Sequence, residues 1–204
     1  MRAIGLSGRA LAILALAAAP ALADSYAVDN AHSEVTFRIR HLVSSVSGRF
    51  TEFAGNVDVE PAAHEKASVS FTIQTASIDT ANERRDGHLR SEDFFNAEAH
   101  PEITFESSSV LPKGDGLYHV TGTLTMRGVS KEVTLPVRYL GSIKDQRGNE
   151  KAGFEIETTL DRKDYGIVWN TALDEGGFVL GDEVQIRIAL QATKQAAESA
   201  GGAR

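Results

Sequence analysis

Cysteine is absent from the 204 residues. Every disulfide is therefore excluded, as is a lipid-modified N-terminal cysteine. Long apolar runs are missing too. Ala10 to Ala19 is apolar but too short to span a bilayer, and no later segment approaches that length of need. No basic run or stripe follows the first two dozen residues, which disfavours nucleic acid or an anionic membrane surface as a partner. No Gly-x-Ser-x-Gly elbow occurs, and no glycine-rich, phosphate-cradling loop precedes a helix. The histidines are His32, His41, His64, His88, His100 and His119, with no pair at i, i+2 or i, i+4. A local zinc or copper motif is thus absent. Asp86, Glu92, Asp93, Asp161 and Asp164 sit in loops or in a short insert between strands. Paired carboxylates can hydrolyse glycosides only at defined separations, and solvated loop acids are the default.

What is present begins with a leader. Arg2 and Arg9 give a basic start, the apolar run follows, and Ala21-Leu22-Ala23 has the small-x-small form of a signal-peptidase site. The pattern predicts export to the periplasm with cleavage after Ala23. Removing 23 of 204 residues leaves 181, enough for one domain with a sizeable core. Removing the leader's two arginines moves the formal charge from −7 to −9. The expected organisation is a leader over 1–23, one domain over 24–195, and a small, polar, fraying tail over 196–204.

The domain reads as strands. Glu34 to Arg40 alternates, with Val35, Phe37 and Ile39 on one face. Val46 to Val59 is extended, but its phase slips between Phe50 and Phe53, predicting a bulge or sharp coil. Val69, Phe71 and Ile73 share a face, as do Ile103 and Phe105 after Pro101. Further period-two faces follow: Tyr118, Val120, Leu124 and Met126; Val133, Leu135, Val137 and Tyr139; Phe154, Ile156 and Leu160; Val184, Ile186, Ile188 and Leu190. Short turns separate them, so neighbours should run antiparallel. About eight such strands fit a closed barrel or a sandwich. A small closed barrel is either filled by side chains or holds one elongated ligand. The opposite faces carry Arg38, Arg40, Glu155, Glu157, Glu183 and Arg187, which cannot face lipid cheaply.

One stretch departs from this pattern. Thr80-Ala81-Asn82-Glu83 has the form of a capping box ahead of Arg84 to Asn96. It predicts a short helical insert near residues 81–95, weakened at Gly87. A loop with two ordinary core phenylalanines, Phe94 and Phe95, suits the same residues. Arg162 and Asp164 are placed to bridge to Arg85 and Asp86 of the insert, either as an ion-pair clamp or as a polar rim for a ligand's head group.

Several segments together carry a known pattern. They are Asp29-Asn30-Ala31-His32-Ser33 before Val35-Thr36-Phe37, then His41, Gly48-Arg49-Phe50 and Ser77-Ile78-Asp79-Thr80. Arg85-Asp86-Gly87-His88-Leu89, Asp93-Phe94-Phe95 and His100-Pro101-Glu102-Ile103-Thr104-Phe105 continue it. Gly122-Thr123-Leu124-Thr125-Met126-Arg127-Gly128-Val129, Arg162-Lys163-Asp164-Tyr165-Gly166-Ile167 and Gly181-Asp182-Glu183-Val184 complete it. The chain resembles the YceI-like family of periplasmic polyisoprenoid-binding proteins over essentially all of its mature length.

The resemblance implies an all-β fold: a lipocalin-like, extended eight-stranded antiparallel barrel with a helical insert. It implies a long apolar cavity for an isoprenoid lipid, such as a polyprenyl chain or an isoprenoid quinone, and no catalytic set or other cofactor. Burial is worth about 0.8 kcal/mol per CH₂, so about twenty carbons approach the practical ceiling of affinity before costs. Few polar contacts are then needed. The candidate cavity residues are Phe37, Ile39, Phe50, Phe71, Ile73, Phe105, Leu124, Met126, Leu135, Val137, Phe154 and Ile156. Leu89, Phe94 and Phe95 are expected to line or plug one end, with Arg85, His88, Arg127 and Arg162 as candidate head-group contacts. A homodimer is compatible with this reading. Two other readings stay open: an enzyme modifying a lipid or other small molecule at the barrel mouth, and a filled barrel acting through its surface.

Overall fold

The computed structural model describes residues 24–60, 63–173 and 178–196, with the side chains of 60–65 left aside. The leader and its cleavage site, the side chain of His64 and the tail beyond Ala196 lie outside the described residues. The strands are β1 (Asp24–Val28), β2 (Glu34–His41), β3 (Ser44–Phe50), β4 (Phe53–Glu60), β5 (Ala63–Gln74) and β6 (Ile78–Asp79). After one helix, α1 (Glu83–Arg90), come β7 (Glu102–Gly114), β8 (Leu117–Met126), β9 (Val129–Lys144), β10 (Glu150–Asp161) and β11 (Leu180–Lys194). The strands run in the order β1-β4-β5-β7-β8-β9-β10-β11-β2-β3-β6, and β1 also pairs with β11, which closes the wall.

Three pairs behave as long strands broken once. A 3₁₀ turn at Asn30–His32 separates β1 from β2, and both pair with β11. Thr51 and Glu52 separate β3 from β4; a second 3₁₀ turn, Thr75–Ser77, separates β5 from β6. Counting each broken pair once, with β7 to β11, gives the expected eight-stranded antiparallel barrel. The breaks lie side by side and bond to one another. Asn30 Nδ2 donates to Thr51 O at 3.2 Å, Thr51 N to Ser77 O at 3.2 Å, and Gln74 N to Glu52 O at 2.9 Å. The phase slip between Phe50 and Phe53 is therefore a full interruption, part of a line along which three neighbouring strands bend together.

Below that line the interior is solid. Val35, Phe50, Phe53, Ile73, Ile78 and Ile103 form a buried cluster, with Phe37, Leu89 and Phe95 packed against it. The insert closes this end, and its cap differs from expectation. The N-cap is Asn82, whose Oδ1 accepts from Arg85 N at 3.0 Å. Ala81 takes a left-handed conformation (φ 58°), so the chain cannot enter the helix from Thr80. Thr80 instead gives its N–H and its hydroxyl to Asp86 Oδ1, at 2.9 and 2.5 Å. Asp86 is the one buried residue of the helix. It performs the reaching-back role expected of Glu83.

Candidate functional site: an apolar cavity in the barrel

Inside the barrel lies a cavity of about 380 Å³, within the range of small-molecule sites. Alternation along each strand creates it: every second residue points inward, and most of these are Val, Leu, Ile and Phe. Of the residues expected to line it, Phe71, Ile73, Phe105, Leu124 and Met126 do so, as do Leu135, Val137, Phe154 and Ile156. Their neighbours Ile186, Ile188 and Leu190 on β11 and Val120 on β8 line it as well. Those carried the same period-two signal and belong to the same inward face. Tyr26 on β1 also lines it, from a five-residue strand that gave no periodic signal.

The polar groups of the lining are few: Asp24, Tyr26, Tyr118, Tyr139 and Thr158. Asp24 is the one charged residue among them. The first four gather at the end where β1 starts. Tyr26 donates its hydroxyl to Glu150 Oε1 at 2.9 Å, and burial together with that carboxylate pushes its phenol pKa up. Lys194 Nζ stands 2.6 Å from Asp24 Oδ2 and 4.0 Å from Glu150 Oε2. The hydrogen bond to Asp24 raises the ammonium's pKa. This end therefore offers phenols and a neutralised lysine beside an otherwise apolar interior.

Six of the expected cavity residues sit elsewhere. Phe50 is core, with Phe37 at 5.9 Å and Phe95 edge-on at 5.9 Å between ring centroids. Leu89 and Phe95 pack on the same cluster from the insert. Phe94 is 6% exposed, in a cluster with His88 at 5.0 Å and Trp169 at 5.2 Å. Ile39 is half-buried on β2, between Val184 and Val46. The insert thus plugs the barrel, and the rings beneath it are closed core.

The four candidate head-group residues all lie at the plugged end, and none lines the cavity. Arg85 donates to Thr80 Oγ1 and Thr80 O. His88 Nε2 is 2.9 Å from Asp93 Oδ2. Arg127 donates to Gly166 O at 2.9 Å and Glu92 O at 2.8 Å. Arg162, with a side chain only 3% exposed, donates to Gly181 O, Ile167 O and Trp169 O and pairs with Asp182. The expected bridge from Arg162 and Asp164 to Arg85 and Asp86 does not form. Asp164 takes Lys131 instead, at 2.5 Å. Arg127 is what ties the insert to the loop after β10.

The chain matches the model of the YceI-like domain over residues 26–192. It belongs to the YceI-like family. A UPF0312 protein of Ectopseudomonas mendocina is 43% identical over 165 residues, covering 78% of this chain and 86% of that one. Among solved structures, BcnA of Burkholderia cenocepacia superposes with a TM-score of 0.71 at 29% identity, covering 81% of this chain and 99% of BcnA. A polyisoprenoid binding domain from Saccharophagus degradans superposes with a TM-score of 0.62, covering 83% of this chain and 98% of that domain. At 18% identity that likeness speaks to the YceI-like fold.

Proposed function

We propose that this YceI-like protein is a periplasmic binding or carrier protein for an isoprenoid lipid, a polyprenyl chain or the tail of an isoprenoid quinone. The observation that carries the reading is the cavity: apolar side chains of β1, β4, β5 and β7 to β11 converge on one internal space whose lining, among the described residues, holds a single charged residue. An apolar chain gains from every buried methylene there and leaves no polar partner unsatisfied. The Saccharophagus domain of the same fold is a polyisoprenoid binder, which supports that ligand class. The leader-like first 23 residues support the location. Phe94 and Phe95 hold the plug in place, and Arg85, His88, Arg127 and Arg162 secure it; the head group sits at the opposite end, beside Tyr26, Tyr118 and Tyr139.

A binding role suits this lining better than catalysis, because among the described residues no histidine and no second carboxylate lines the cavity. A filled barrel acting through its surface does not suit a cavity of about 380 Å³. The test is native mass spectrometry, with organic extraction, of protein purified from its own periplasm. A co-purifying isoprenoid is expected. Ligand-free protein that takes up neither quinones nor polyprenyl lipids contradicts the proposal.

A further inference from the structure

A second concavity is an open groove of about 840 Å³ on the outside of the wall, across β6, β3, β2, β11 and β10. Strand register sets what faces it. One row runs Asp79, Arg49, Thr36, Arg187, Glu157 across five strands. The next row, two residues along, runs Ser47, Arg38, Gln185, Thr159. Arg49 and Arg187 flank β2 from either side, so their backbones are about 10 Å apart, and Arg38 lies about 7 Å further along β2. Three arginines are thus set around Thr36 on neighbouring strands, and the Thr36 hydroxyl donates to Arg187 O at 2.9 Å.

The acids occupy the ends of the row. Asp79 accepts from Arg49 at 3.0 Å; Glu157 lies 3.5 Å from Arg187. Arg38, in the middle, makes no ion pair and no side-chain hydrogen bond among the described residues. Asp79 takes up Arg49, and Glu157 with Glu155, 4.0 Å away, takes up Arg187, so the uncompensated positive charge is that of Arg38 at the centre. The remaining groups at the centre are hydroxyls and an amide. A planar guanidinium fork matches carboxylate and phosphate oxygens, while hydroxyls and amides suit the polar body that carries such a group.

We propose that this outer groove is a second binding site, for a small polar ligand bearing a phosphate or carboxylate group. Arg38 is its central contact, with Arg49 and Arg187 on either side. The site lies back to back with the apolar cavity: Thr158 and Ile186 face inward from the strands that present Glu157, Gln185 and Arg187 outward. It is therefore chemically separate from the lipid site.

The experiment is an amide NMR titration of the mature chain with inorganic phosphate and, in a second arm, with acetate, both at constant ionic strength. Saturable shifts at Thr36, Arg38, Ser47 and Arg187 are expected. Arg38→Ala should weaken binding about tenfold or more. Arg40→Ala, two residues along β2 and outside the groove lining, should leave it unchanged. A response to phosphate alone assigns a phosphate ester, and a response to acetate alone assigns a carboxylate. Unsaturable shifts spread over the surface, or equal weakening by both substitutions, overturn the proposal, as does silence in both arms.

Discussion

Arg162 shows how a single buried charge organises the plugged end. Its guanidinium is engaged by three backbone carbonyls and one carboxylate, so it locks the loop after β10 against the start of β11. Replacing it with Met leaves those carbonyls buried without a donor. Arg162→Met should lower stability by about 3 kcal/mol, measured by urea unfolding, with the cavity-lining residues untouched. The partner, Asp182, gives a pH dependence. The hydrogen bond from Lys163, with Arg162 close by, holds its carboxyl below the usual range. A carboxylate with a depressed folded pKa stabilises above its unfolded value of about 3.9 and loses that contribution as pH falls through the folded value. The gap in unfolding midpoint between the native chain and Asp182→Asn should therefore be constant from pH 7 to 5 and shrink below about pH 4. A gap that widens on acidification would contradict this assignment. None of these partnerships was readable in advance. The sequence marks Arg162 as unusual, but its partners are carbonyls contributed by a loop, and carbonyls are the same in every residue.

At the scale of strands, period-two alternation made most of the wall legible. It located the inward faces of β2, β5 and β7 to β11, and with them nine cavity residues. It could not divide an inward face into cavity and core, since Phe50 and Phe71 read alike as apolar members of a strand. The division comes from the bend line at Asn30, Thr51 and Thr75 and from the insert, both set by contacts between distant segments. Strand β1 was invisible because five residues carry too little pattern. The wall also depends on glycines set beneath rings. A Cβ on Gly122 of β8 would stand 2.4 Å from Glu106 O and 2.6 Å from Phe105 Cζ, so backbone and ring would both have to move. Gly122→Ala should cost about 1–3 kcal/mol in chemical denaturation. Because Phe105 lines the cavity, it should weaken uptake of an isoprenoid in the same variant. Unchanged stability would mean that β7 and β8 separate more freely than their register implies.

For the whole molecule, the arrangement is a barrel closed at one end and hollow above. The plug of Leu89, Phe94 and Phe95, pinned by Asp86 and Arg127, uses the aromatic residues that first drew attention in the sequence. The hollow part uses the quieter aliphatic alternation. Family membership and the eight-stranded fold were legible from the motifs because those motifs are the turns, caps and bend-line residues that shape the wall. The end of the cavity with Tyr26, Tyr118 and Tyr139 was not, since β1, which supplies Tyr26, carries too little pattern. The central claim is that an isoprenoid lies inside the barrel, and one side chain reports on it directly. Met1 and Met126 are the only methionines, and Met126 lines the cavity. With residues 1–23 removed, a ¹³C-methyl-methionine spectrum has a single reporter at the site. Titrating delipidated protein with a short-tailed isoprenoid quinone should shift the Met126 methyl resonance saturably and give nuclear Overhauser contacts to the isoprenoid methyls. An unmoved Met126 resonance while the quinone binds would place the ligand outside the barrel and contradict the account.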